Sequence, residues 1–102
     1  MNEPTSISLV SGGFDPLHSG HVNYIEDALQ YGEIVILLNS DEWLTQKKGR
    51  PFMPWEERAR VMGSLKGVKE VIAFNDMKGD ATDGIQKAVN KYPYPEYRVS
   101  FL

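Results

Sequence analysis

Hydrophobic positions along this chain follow two rhythms that alternate. "TSISLVS" (Thr5–Ser11) is short, partly β-branched and ends in glycines, which reads as a strand. "EIVILLN" (Glu33–Asn39) is a nearly continuous apolar run, the mark of a strand covered on both faces. "KEVIAF" (Lys69–Phe74) and "YRVSFL" (Tyr97–Leu102) are a third and a fourth strand. Helical spacing fills the gaps. Val22, Ile25, Ala28 and Leu29 form one stripe, with Gly32 as its stop. Trp55, Ala59 and Met62 form a second, opening at Pro54 with Glu56 and Glu57 in the first turn. Ile85, Ala88, Val89 and Tyr92 form a third, ended by Pro93, with Gly84 weakening its start. The stretch Ser40–Met53 has no clear period and reads as a loop.

Strands alternating with helices predict an α/β fold with a parallel sheet of about four strands. The expectation is a Rossmann-like three-layer sandwich in one domain spanning residues 1–102. In such sheets ligands bind beyond the carboxyl ends of the strands. That rule selects "GGFDPLHSGH" after strand one, "SDEWLTQKKGRPF" after strand two and "NDMKGD" after strand three.

Composition narrows the classes. The net charge of −3 speaks against a nucleic-acid binder working by bulk charge, so no nucleic-acid partner is expected. Cysteine is absent, which removes disulfides and thiolate metal sites. No apolar run reaches the roughly 18 residues of a membrane span. The start, "MNEPTSISLV", lacks a signal-peptide pattern. The expectation is a cytoplasmic protein with no membrane partner.

Both histidines of the chain, His18 and His21, lie in "GGFDPLHSGH". Gly12 and Gly13 free the backbone for a tight turn and a close ligand approach. A helix beginning near His18 offers unpaired N–H groups and the positive end of its dipole to an anion. Residues three apart share a helix face, so both imidazoles can address one anion. Gly20 keeps the space between them free of a side chain. The segment is neither a Walker loop nor a G-x-G-x-x-G fingerprint. Two histidines without a cysteine supply only part of a metal site, and no metal ligands are assigned. The plainer alternative is that one histidine caps the helix and the other lies on the surface.

"GGFDPLHSGHVNYI" resembles the H-x-G-H signature of the nucleotidyltransferase superfamily that includes the cytidylyltransferases. "LLNSDEWLTQKKGRPFMPWEERARVMGSLKGVKEVIAF" is similar to the matching region of glycerol-3-phosphate cytidylyltransferase and of the domain that makes ADP-heptose. The resemblance runs from about Ser8 to about Phe74. It implies transfer of a nucleoside monophosphate, with CMP favoured, from a nucleoside triphosphate to a phosphorylated small alcohol or sugar. The acceptor's phosphate oxygen attacks the α-phosphorus in line and pyrophosphate leaves, without a covalent enzyme intermediate. Adenylyl transfer of the heptose- or pantetheine-phosphate type is the close alternative. Magnesium is expected with the triphosphate, held mainly by phosphate oxygens.

The same resemblance implies the site residues. His18 and His21 hold the triphosphate and stabilise charge at the α-phosphorus, and nucleotide binding is expected to favour their protonation. Ser11, Gly12, Gly13, Phe14 and Gly20 line the nucleotide, although relatives often carry threonine or cysteine at the position of Gly13. Lys48, with Lys47 as substitute, reaches phosphates. The alternative is that "QKKGR" is a solvated basic loop. Arg58 faces phosphate, or else pairs at the surface with Glu56 or Glu57. Asp41 helps bind the acceptor or a metal, or else caps a turn. Trp43 and Trp55 could border the acceptor, with core the preferred place for Trp55. Family members continue past the fourth strand with a glycine- and aspartate-containing turn and a serine/threonine-rich helix start. Those segments are not in these 102 residues, so the domain is expected to be C-terminally truncated relative to the family. The open edge of "YRVSFL" suggests a homodimer. Two other classes compete: a nucleotide-binding or assembly module without turnover, and a fragment of a class I aminoacyl-tRNA synthetase. Acidic charge, short length and the lack of a lysine-rich "KMSKS"-like loop oppose the latter.

Overall fold

A computed structural model describes residues 3–102. Four strands, β1 (Thr5–Gly12), β2 (Glu33–Leu38), β3 (Val68–Ala73) and β4 (Tyr97–Phe101), form one sheet in the order β3-β2-β1-β4. Every neighbouring pair is parallel. The four helices are α1 (Ser19–Leu29), α2 (Asp41–Lys48), α3 (Trp55–Gly63) and α4 (Thr82–Lys91).

The continuous apolar run of β2 has its predicted consequence. Ile34 to Leu38 are fully buried, because alternate side chains feed two cores on opposite faces. On one face Val10, Ile34, Ile36 and Leu38 pack with Ile25 and Ala28 of α1 and Met62 of α3. On the other, Ile7, Leu9, Val35 and Leu37 pack with Phe74 and with Ala88 and Tyr92 of α4 and its end. The result is the expected three-layer α/β sandwich. Ser8 points to the α1 side and is fully buried, and it donates its hydroxyl proton to the carbonyl of Ala28 at 2.7 Å. Gly84, read above as a weakness in α4, has a packing reason. A Cβ there would lie 2.8 Å from Leu37 Cδ1 and 2.9 Å from Phe74 Cγ, so only glycine lets the helix settle on the sheet.

One element departs from the sequence expectation. Residues 41–48, read as loop, form α2. Ser40 caps it by accepting the Trp43 N–H, Asp41 and Glu42 stand in its first turn, Lys47 and Lys48 in its last, and Gly49 (φ 95°) ends it. Its end signals are strong, but it buries only Leu44, so it shows no hydrophobic stripe.

The strand order sets the place of the site. The chain moves from β1 outward through β2 to β3, then crosses back to place β4 on the other side of β1. Direction therefore reverses at β1, the position beyond whose carboxyl end ligands bind in open parallel sheets. The segment leaving that end of β1 is the glycine–histidine turn.

Candidate active site

Beyond β1 the backbone folds sharply. Phe14 has φ 48°, a left-handed conformation that is costly for an aromatic residue, and the Asp15–Pro16 peptide is cis. Burial of the Phe14 ring, and its edge-on contact with His21 at 5.0 Å between centroids, hold it there. Phe14 thus serves the turn through its side chain. Gly12 also takes part, since its carbonyl accepts the Asn39 N–H at 3.0 Å. A Cβ on Gly13 would stand 2.8 Å from Leu44 Cδ2, so α2 occupies the room that a side chain would need.

The two histidines answer each other across the first turn of α1. His18 is the N-cap, and its Nδ1 accepts the Gly20 N–H at 3.1 Å. Three residues on, His21 Nδ1 accepts the His18 N–H at 3.2 Å. This is a reciprocal capping box built from two imidazoles. Their rings stack with centroids 3.7 Å apart and planes 26° off parallel. The plain alternative foresaw one capping histidine. Here both cap, and they remain side by side.

The box has a chemical consequence. An imidazole that accepts through Nδ1 keeps its proton on Nε2, so each ring offers an Nε2–H donor on its free edge. A ring protonated at Nδ1 cannot accept, and the cap is lost. Burial, and then the proximity of His18, hold His21 below the ordinary histidine value. Gly20 has a spatial role of its own, because a Cβ there would lie 3.0 Å from His18 Cε1 and 3.2 Å from its Nδ1. Ser11 is half-buried at the end of β1.

Arg58 requires a correction. It was expected to face phosphate, or to pair at the surface with Glu56 or Glu57. It is instead fully buried and directed inward. Its Nε donates to Met53 O (3.0 Å), Nη1 to Gly13 O and Asn39 O (both 2.9 Å), and Nη2 to Asp41 Oδ1 (2.6 Å). One guanidinium thus joins the turn after β1, the end of β2, the start of α2 and the segment before α3. A planar fork with several donors suits that task better than a point charge. Asp41 correspondingly spends one carboxylate oxygen on Arg58, and Ser40 is the cap of α2.

Lys48 stands against the histidine turn. Its ammonium pairs with Asp15 Oδ2 at 2.9 Å, donates also to the Asp15 carbonyl, and lies 4.7 Å from the Phe52 ring centre. Lys47 points elsewhere, over the Trp43 ring at 4.5 Å. Lys47 and Asp41, the two residues expected at the acceptor, are not brought together. Lys47 and Trp43 line a cleft of about 220 Å³ with Met77, whereas Asp41 lines another of about 340 Å³ with Trp55 and Phe74. Trp55 packs against the core, as preferred, and its indole N–H donates to Leu38 O at 3.1 Å.

Two carboxylates of this end carried no signal in the sequence beyond their residue type. Asp15 accepts from the Phe52 and Met53 N–H groups, at 2.6 and 2.9 Å, as well as from Lys48. Asp76, buried after β3, accepts from Asn39 Nδ2 (3.0 Å), Ser40 N (2.8 Å) and Ser40 Oγ (2.7 Å). Each lies far along the chain from its partners, so no local pattern exposes it. Among the described residues, no three His, Asp or Glu converge to hold a metal ion, and no helix is long and apolar enough to cross a membrane.

Comparison with known proteins supplies the family. The chain is 41% identical over 73 residues to "Bifunctional protein HldE" of Aliarcobacter butzleri, covering 69% of this chain and 15% of that protein. The protein of the same name from Proteus mirabilis is 40% identical over the same length and shares. The chain therefore spans a small part of these relatives. Among solved structures, the lipopolysaccharide core biosynthesis protein from Thermoplasma volcanium superposes with a TM-score of 0.67 at 25% identity, covering 84% of this chain and 66% of that one. The cytidylyltransferase-like family profile matches residues 9–94, from the middle of β1 to just before β4, and takes in the histidine turn, α2 and Arg58. With strand order, turn and profile in agreement, this chain belongs to the cytidylyltransferase-like family.

Proposed function

We propose that the chain serves a nucleotidyltransferase that moves a nucleoside monophosphate from a nucleoside triphosphate to a phosphorylated small alcohol or sugar. One observation carries this reading: two stacked imidazoles, each accepting a backbone N–H through Nδ1, turn their Nε2 edges outward at the start of α1, beside the point where strand order reverses. That is a fixed donor pair at the positive end of a helix, suited to phosphate oxygens.

A phosphate oxygen of the acceptor attacks the α-phosphorus. The bond from that phosphorus to the bridging oxygen breaks, and its electron pair leaves with pyrophosphate. Donors already in place stabilise the charge that develops, with no rearrangement at the moment of reaction. His18 and His21 supply them, and Lys48 adds a positive charge at the rim. Magnesium enters with the triphosphate.

CMP is the favoured group. AMP is the second reading, because the relatives include a protein named for lipopolysaccharide core biosynthesis, which points to a sugar phosphate as acceptor and to transfer of the heptose type. Pyrophosphate release decides between them. CTP and ATP, each with magnesium, are incubated with phosphorylated polyols and sugars. Release that depends on one nucleotide and one acceptor, and disappears in His18→Ala, is the expected result. Nucleotide binding without release under any pairing would reduce this chain to a binding module.

A further inference from the structure

We propose that Asp15 is the positioning residue of Lys48: its carboxylate fastens the segment from Lys48 to Met53 onto the histidine turn and holds the lysine ammonium at the site's edge. The inference rests on the nucleotide reading above for its use, but on separate contacts for its geometry.

The Asp15 side chain has no exposed surface, whereas the Lys48 side chain is 31% exposed. The carboxylate therefore touches no ligand directly and acts through what it holds. It holds three things at once. Oδ2 accepts the Phe52 N–H and the Lys48 ammonium, and Oδ1 accepts the Met53 N–H. Two successive backbone N–H groups meeting one carboxylate fix the direction of the segment between α2 and α3. The lysine supplies the countercharge that a buried carboxylate needs. Its ammonium is bounded by the Asp15 carboxylate, the Asp15 carbonyl and the Phe52 ring, which leaves its exposed side for an incoming anion. A free lysine would lose side-chain entropy on meeting a phosphate. Much of that ordering is already done here. Burial pushes the Asp15 carboxyl up, but Lys48 and the Phe52 and Met53 N–H groups together hold it below the usual range.

The test is a double-mutant cycle on nucleotide binding, with calorimetric titration of magnesium CTP and magnesium ATP. Lys48→Met is expected to weaken the bound nucleotide about tenfold or more, the loss of a charge-assisted contact. Asp15→Asn is expected to weaken it at least about threefold in the wild-type background and hardly at all in the Lys48→Met background, since coupled residues do not add. Equal effects in both backgrounds would show that Asp15 merely supports the fold, and would overturn the proposal. A second measurement uses no nucleotide and no Asp15 variant. Carbon-detected NMR titration of the Asp15 carboxyl should show its midpoint rise in Lys48→Met. An unchanged midpoint would overturn the proposal even if Asp15→Asn does not fold. Wild-type protein that binds neither nucleotide refutes the functional reading instead, and the NMR titration alone then judges the clamp.

Discussion

Replacing Arg58 by methionine separates two roles that the sequence cannot distinguish. Methionine preserves most of the apolar stem and removes only the guanidinium. Three carbonyls, those of Gly13, Asn39 and Met53, then lose their donors. A fully buried acceptor left unpaired costs roughly 1–3 kcal/mol; the Asn39 carbonyl is buried, and those of Gly13 and Met53 are half-buried. The pair with Asp41 adds little, because the Asp41 side chain is 38% exposed and water can replace the arginine. Taking the lower part of that range for each carbonyl, the expected loss is about 3–5 kcal/mol. Domains of this size have only about 5–15 kcal/mol in total. The midpoint of thermal unfolding should therefore fall by roughly 15–30 °C, at about 4–8 °C per kcal/mol. Circular dichroism melts and urea titrations, followed by the fluorescence of Trp43 and Trp55, measure this directly. A phosphate-binding arginine predicts the opposite pattern, with a normal melt and weak nucleotide binding. A variant that melts within about 3 °C of the parent would refute the buried-hub reasoning.

Two further outcomes follow from the histidine box. Gly20→Ala should leave stability almost unchanged, since an alanine in a first helical turn gains up to ~1 kcal/mol over glycine while the disturbed cap loses about as much. Nucleotide affinity should nevertheless fall several-fold, because the new Cβ displaces the His18 ring, and unaltered affinity would refute the requirement for that ring position. The pH dependence has a definite sign. The native His21 value lies below the ordinary 6.5, so the folded state binds fewer protons than the unfolded one. Its contribution to stability is complete above pH 6.5 and is lost as pH falls from there through the lowered native value. The carboxylates held below their usual range, Asp15, Asp76 and Glu70 among them, act in a separate window below about pH 4. Urea midpoints at pH 8.0 and 5.5 should differ in the parent and differ less in His21→Gln.

The strands and three of the helices were legible in the chain because their signals are periodic. An apolar run such as Ile34–Leu38 leaves few choices except a strand between two layers, and the stripes of α1, α3 and α4 each mark the side that meets the sheet. Helix α2 escaped because one buried leucine makes no stripe, although its cap, its charged ends and Gly49 were all written in the sequence. The histidine turn was legible for a different reason. Its glycines and both histidines lie within ten residues, so local geometry alone brings them together.

Arg58, Asp15 and Asp76 show what only the folded chain decides. Arg58 reaches Gly13 across 45 positions, Asp15 reaches Met53 across 38, and Asp76 reaches Asn39 across 37. In sequence each is a charged residue in a polar stretch, with solvent as its default partner. The parallel sheet gathers the carboxyl ends of β1, β2 and β3 at one edge, and there the same charges become buried fasteners between loops. The order of residues alone placed a pair of histidines at the start of a helix. Tertiary structure decided which neighbouring charges face a ligand and which hold the turn that presents them, because burial and hydrogen-bond partners depend on distances in space that spacing along the chain does not encode.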